Sequence, residues 1–211
     1  MASYINGVNG SFQGKIGEVV GATWKGIPYM RALPTRRSGT VSEKESINRK
    51  KWALSQQWLK PVLNFVREGF KGYSATVEGF IAAKSYLLKN AIEATGADFV
   101  INPALVKVSF GSLPLPVQIS ATKTANDQVQ FTWSTENGEG AHSNDQVMML
   151  AYNIDKLEAR IEIAGQLRKT GSDFLKIDAH QSGTWHLYAA FVASDRSRQS
   201  DSVYLGTIQI N

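Results

Sequence analysis

From Thr40 onward the apolar positions of the chain recur with a helical period, while on either side of that region they alternate. The stretch TVSEKESINRKKWALSQQWLKPVLNFVREGF opens on Ser42-x-x-Glu45, a capping-box pattern in which the two side chains satisfy the first free amides of a helix. Ile47, Leu54, Trp58, Val62, Phe65 and Val66 then fall on one face. Pro61 lies inside this pattern and predicts a kink or a split, because proline removes one helical donor and crowds the preceding turn. Gly69 and Gly72 close it. A second helix is predicted at about Ala75 to Ala94, with Val77, Phe80, Ile81, Lys84, Leu87, Leu88 and Ala91 sharing a face and Thr95-Gly96 as the stop. The short connection predicts an antiparallel helical hairpin. Trp52, Trp58, Phe65 and Phe70 read as its core aromatics.

Residues 1–36 read as β structure. In EVVGATWKGIPYMRAL, two short runs meet at Lys25-Gly26, where glycine tolerates the positive φ of a hairpin turn. In the second run Ile27, Tyr29, Arg31 and Leu33 alternate with Pro28, Met30 and Ala32. Pro28 places that run at a sheet edge. Glycines at 7, 10, 14, 17, 21 and 26 predict a loose arm through about Gly14, followed by a glycine-punctuated hairpin.

Beyond Gly96 the alternation returns, with Val106, Val108 and Phe110 on one side of a short strand. The segment Gly111 to Pro116 reads as a domain boundary, since Pro114 and Pro116 favour extended backbone. Past it come VQISATKT, QVQFTWS, QVMMLAYN, EARIEIA, DFLKID, TWHLYAAFV and SVYLGTIQI, seven short strands separated by turn residues. Val129, Phe131 and Trp133 face one way, as do Trp185, Leu187, Ala189 and Phe191, against His186, Tyr188 and Ala190 on the polar side. The expected fold class is α+β. Residues 1–111 form an N-terminal β-hairpin plus αα hairpin, and residues 117–211 a seven-strand antiparallel β-sandwich.

On VQFTW, TWHLYAAFVASDRSRQSDS and YLGTI, residues 117–205 resemble a fibronectin type III-like or immunoglobulin-like module. On GKIGEVVGATWKGIPYMRALP, KVSFGSLP and WHLYAAFVASDRSRQSDSVYLG, the whole chain resembles a family of about this length common in Bacteroidota genomes. That resemblance implies length and layout, and no activity. The glycine-rich opening, with its basic Arg-Pro exit, also resembles bacteriophage virion and prophage proteins.

Composition narrows the chemistry. The 211 residues include no cysteine, which removes disulfides, thiolate zinc sites and thiol catalysis. No basic n-region with an apolar run is visible, and no stretch approaches about 18 apolar residues. No membrane span is therefore expected, and the chain is read as cytoplasmic or built into a particle. Residues 1–110 carry 15 Lys/Arg against 7 Asp/Glu, and residues 111–211 carry 8 against 11. The basic character thus belongs to the first half.

Candidate chemistry is sparse. No P-loop string occurs, and the lone G-x-G, Gly138-Glu139-Gly140, lies in an acidic loop. His142, His180 and His186 read as surface histidines, without a nucleophile elbow. Asp195 and Asp201 lack calcium-loop spacing and read as aspartates neutralised by Arg196 and Arg198. No catalytic residue, cofactor or metal is expected. The strongest signal is basic residues interleaved with aromatics, and the expected partner contacts are Trp24, Lys25, Tyr29, Arg31, Arg36 and Arg37. The sequence reading is a non-enzymatic structural, assembly or adhesion protein, phage-derived or surface-associated, that contacts copies of itself or another protein through its N-terminal unit. The alternative is a nucleic-acid or polyanion binder using the basic N-terminal face.

Overall fold

The computed structural model describes residues 3–4, 10–35, 39–74, 77–96, 98–124, 128–136, 138–178 and 182–210. These form a mixed α+β chain of three α-helices and four antiparallel sheets. Among the described residues no helix is long and apolar enough to cross a membrane. The chain divides into two compact units between Ser42 and Glu43.

The first unit is one meander, β1 (Ser3–Tyr4), β2 (Phe12–Ile16), β3 (Val19–Trp24) and β4 (Ile27–Ala32), hydrogen-bonded in chain order. Lys25 and Gly26 join β3 to β4 with φ of 47° and 82°. Positive φ at both central residues is the turn whose twist matches a two-residue hairpin. The arm expected through Gly14 is corrected here. Phe12–Ile16 pairs with β3, and Ser3 and Tyr4 pair with Gln13 and Phe12. Gly21 explains why the segment docks. A Cβ at Gly21 would run into the Phe12 carbonyl oxygen and ring, so only glycine lets β2 come this close. β4, which carries Pro28, is an edge strand.

The second unit begins with α1 (Glu43–Leu59) and α2 (Leu63–Gly69), split at Pro61, and α3 (Gly79–Asn90). The segment Ile92 to Thr95, expected as the end of a helix, is instead β5 (Ile92–Thr95), paired with β6 (Asp98–Ile101). Its break is Ala91, whose φ of −121° ends the helix before Gly96 is reached. A single 3-10 turn follows at Pro103–Leu105. Val106 to Phe110 is not a strand. It runs alongside the 199–202 segment, with Val108 N–H donating to Ser202 Oγ (3.0 Å) and Ser202 N–H to the Ser109 carbonyl (3.0 Å).

The remaining strands are β7 (Ser120–Lys123), β8 (Gln128–Thr132), β9 (Gln146–Asn153), β10 (Glu158–Glu162), β11 (Ser172–Lys176), β12 (Gly183–Val192) and β13 (Val203–Ile210). They lie in a sheet ordered β10-β9-β12-β13 and another ordered β11-β8-β7. The four-stranded sheet is covered on both faces. Val147, Met149 and Ala151 of β9, with Trp185, Leu187 and Phe191 of β12, share a core with Val129, Phe131 and Leu175 of the three-stranded sheet. Met148, Leu150 and Tyr152, with Tyr188 and Ala190, share the other core with Trp58, Leu59, Phe65, Val66 and Leu87. The side of β12 expected to be polar is therefore buried beneath helices. The helices, which the sequence grouped with the N-terminal hairpin in residues 1–111, pack on this sheet. Tyr152 clamps the layers, its ring edge-on to Trp58 at 4.9 Å and its hydroxyl donating to the Trp58 carbonyl (3.0 Å).

The expected boundary at 111–116 lies inside this unit. Leu113 is buried in the sheet core, and its N–H donates to the Gln199 carbonyl at 2.9 Å.

Candidate functional site

In a sheet, directly paired residues on neighbouring strands put their side chains on the same face. The register of the first unit pairs Val20 with Arg31, Ala22 with Tyr29, and Trp24 with Ile27, while Lys15 of β2 pairs with Val20. One face therefore carries Trp24, Ile27 and Tyr29, which line an apolar hollow, with Lys15 and Arg31 further along the strands. Lys25 adds its ammonium from the turn, 5.1 Å from the Trp24 ring centre. Of the six expected contact residues, the structure gathers Trp24, Lys25, Tyr29 and Arg31. Arg36 and Arg37 lie outside the described residues.

The opposite face carries Ile16, Val19 and Met30. All six residues of β4 are exposed, Ile27 at 64% and Met30 at 71%. Among the described residues of this unit only Gly21 is buried. A sheet needs a second layer to bury an apolar face, and this one supplies none from within itself.

The other sequence candidates take structural partners. Asp201 pairs with Lys107, not with an arginine. Arg196 lies 3.7 Å from Glu68 and donates to the Ile163 carbonyl (2.9 Å) and Gln146 Oε1 (2.7 Å). Asp195 accepts from the Ser197 hydroxyl (2.6 Å) and N–H (2.9 Å), which together hold its carboxyl below the ordinary value. Arg198 donates to the Gly140 carbonyl. Of the expected arginine–aspartate neutralisation, the Arg198 charge still helps lower the Asp195 carboxyl, while Arg196 instead clamps neighbouring loops. His186 is half-buried, its Nδ1 3.0 Å from the Tyr204 hydroxyl. Burial pushes its pKa down, and Asp155 opposes that only in part. The His142 N–H donates to Asp145 Oδ2 (2.9 Å). His180 lies outside the described residues.

A single family model accounts for residues 11–206, from just before β2 into β13. The chain belongs to DUF6266, a family of unknown function. No curated protein matches it. The DUF6266 match takes in β2, β3 and β4 as well as most of the larger unit.

Three charged residues in this DUF6266 chain were not singled out as functional candidates from the sequence. Lys84, placed on the apolar face of its helix, is buried at 3% exposure. Its Nζ donates to Gln56 Oε1. Asp145 and Arg168 are both fully buried, with Asp145 Oδ2 and Arg168 Nε 3.5 Å apart. The guanidinium lies 4.7 Å from the Phe191 ring centre, and Nη2 donates to the Pro114 carbonyl (2.6 Å). Arg168 was invisible because LRKTGS has the composition of a surface loop. Desolvation lowers its pKa, and Asp145 counters in part.

Proposed function

We propose that this DUF6266 chain is an assembly protein without catalysis. Its N-terminal sheet docks on a second copy of the chain, and its larger unit presents a fibronectin type III-like sandwich. The observation that carries the reading is the uncovered sheet. Both faces of β2–β4 display large apolar side chains, and only Gly21 among its described residues is buried. Such surface is rare on a free monomer and marks an interface. Charge favours a second copy offering a different surface. Residues 1–42 carry five Lys/Arg against one Asp/Glu, while the larger unit, residues 43–211, carries 18 against 17. Apposing two N-terminal sheets would bring like charges together, whereas a head-to-tail contact sets the basic sheet against a nearly neutral unit. For the larger unit, the strand order β11-β8-β7 facing β10-β9-β12-β13 supports the sandwich reading.

Light scattering on the full chain tests this. The expected mass exceeds the 23.2 kDa of one chain and returns to it in the double variant Ile27→Ser/Met30→Ser, which alters one residue on each face. A wild-type chain that stays at 23.2 kDa at tens of micromolar overturns the reading.

A second reading rests on Trp24 and Tyr29 sharing one face with Lys15 and Arg31. Aromatic rings beside cations suit single-stranded nucleic acid or another polyanion. This reading predicts Trp24 fluorescence quenching by an oligonucleotide, with an affinity that falls steeply as salt rises.

A further inference from the structure

A groove in the larger unit, remote in sequence from the N-terminal sheet, is lined by three segments. These are Lys71 to Tyr73 after α2, Phe110 to Ser112, and Ser197 to Gln199 between β12 and β13. We propose that this groove binds an acidic saccharide, a short chain of uronate-type sugars. The proposal does not depend on the assembly reading.

The groove encloses about 480 Å³, within the range of small-ligand sites and enough for a few sugar rings. Its aromatic wall is built and held. Phe110 stacks on the buried Phe70 ring at 6.4 Å, meets Tyr73 edge-on at 5.2 Å, and has the Lys107 ammonium 4.8 Å from its centre. Phe110 and Tyr73 nonetheless remain 36% and 47% exposed. Exposed aromatic surface of this kind suits the C–H face of a pyranose. The backbone wall is closed by Gly111, where a Cβ would strike the Gln199 carbonyl oxygen. Gln199 Nε2 spans the groove's base, donating to the Lys71 (2.7 Å) and Phe110 (3.0 Å) carbonyls.

The lining chemistry selects the ligand class. The lining contains no aliphatic side chain, so its apolar surface is that of the Tyr73 and Phe110 rings. It contains no carboxylate, so a cation finds no counter-charge. It does contain two cations, Lys71 and Arg198, which donate to the backbone carbonyls of Arg196 and Gly140. Those bonds are to neutral groups. Arg198 also sits in the field of the Asp195 carboxylate, which leaves Lys71 the main donor of a charge-assisted bond to a ligand carboxylate. Ser112 supplies a hydroxyl. The Ser197 hydroxyl hydrogen and the Gln199 amide N–H groups are already bonded, so the Ser197 oxygen and Gln199 Oε1 keep acceptor capacity for sugar hydroxyls. A phosphate ligand is disfavoured because five of the backbone donors along the groove are occupied. The N–H groups of Lys71, Tyr73, Phe110, Gly111 and Ser197 donate to Glu68, Phe70, Gly69, Asp201 and Asp195.

The test is calorimetric titration of the full chain with trigalacturonate, with neutral cellotriose and AMP as comparison ligands. Trigalacturonate is expected to bind, and cellotriose at least about tenfold more weakly. Tyr73→Ala and Lys71→Gln are each expected to weaken trigalacturonate about tenfold or more, with thermal unfolding showing that both variants fold. Lys71→Gln serves even if Tyr73→Ala does not fold. Four results overturn the proposal: no binding of trigalacturonate at millimolar concentration, equal binding of cellotriose, tighter binding of AMP, or binding abolished by Lys25→Gln/Arg31→Gln while Lys71→Gln leaves it unchanged. The last result would assign the anion to the N-terminal sheet.

Discussion

The ammonium of Lys84 lies 4.0 Å from the centre of the Trp52 ring and 5.3 Å from that of Phe80. Trp52 is more than half exposed, yet it is part of the lid over a buried charge. A cation removed from water needs some compensating partner, and here two ring faces and the Gln56 amide oxygen supply it.

Trp52→Ala should therefore destabilise the chain by about 1–2 kcal/mol, more than an exposed side chain ordinarily contributes. Urea unfolding at neutral pH measures it, and a change below about 0.5 kcal/mol would show that the ring carries nothing. Lys84→Met should be close to neutral or stabilising, since an apolar side chain avoids the desolvation. Burial holds the Lys84 pKa below 10.5 in the folded chain. Between that lowered value and 10.5 the unfolded chain binds more protons, so wild-type stability rises with pH in that window. Any advantage of Lys84→Met should shrink as pH approaches 10.5, the unperturbed value.

Asp145 and Arg168 form the larger unit's most deeply buried ion pair. Asp145 Oδ1 and Arg168 Nε and Nη1 have no hydrogen-bond partner among the described residues. Such a pair adds little by itself, but removing one member strands the other charge. Asp145→Asn should cost about 3 kcal/mol or more, and Asp145→Asn/Arg168→Met clearly less than the single change. The double-mutant cycle in urea decides this. Additive effects would mean that the two charges do not interact.

His186 gives the chain an acid limit. Its folded pKa lies below 6.5, so as pH falls through 6.5 the unfolded chain takes up a proton before the folded one does. Stability is full above 6.5 and declines below it, down to the lowered folded value. His186→Gln should flatten the difference in melting temperature between pH 5 and pH 7. Parallel curves for the two proteins would remove the histidine from the account.

Gly21→Ala should separate β2 from β3, because the new methyl meets backbone at Phe12 rather than a side chain that can turn away. Amide exchange in Phe12–Ile16 is expected to accelerate, while α1–α3 and β7–β13 keep their protection. Unchanged exchange in β2 would mean that the strand gives way without loss of pairing.

Much of this architecture was legible in residue pattern. Pro61 marked the helix break, Lys25-Gly26 the hairpin turn and Pro28 the sheet edge. QVMMLAYN carried a further message. A strand wetted on one side alternates, but this one is apolar nearly throughout, the mark of burial on both faces. The helices fill the second face, which is why a division between helical and β-rich halves failed. Lys84 likewise stood in the apolar stripe of its helix, where a lysine must be either covered or misaligned. It is covered. Ile81, expected in that stripe, is exposed, while Ala82 and Ala83 are buried, because close packing of α3 selects small residues.

Other features had no sequence signal. The pairing of Lys107 with Asp201 joins residues 94 apart, and nothing in either neighbourhood names the other. The groove at Phe110 is assembled from three such distant segments. The grouping of Trp24, Lys25, Tyr29 and Arg31 was recoverable because strand alternation and a two-residue turn fix it locally.

The hydroxyl of Tyr152 reaches the Trp58 carbonyl across 94 residues of chain. A ribosome adding about 5–20 residues per second takes roughly 5–20 s to cross that interval. For that time Trp58, Phe65 and Val66 have been synthesised, but the sheet that will cover them has not. The nascent helices must wait with their apolar side open, in a cell crowded with other surfaces. A synonymous slow codon or a pause placed between residues 70 and 145 would lengthen the wait without altering one atom of the finished protein. The yield of folded chain should thus depend on translation tempo as well as on sequence.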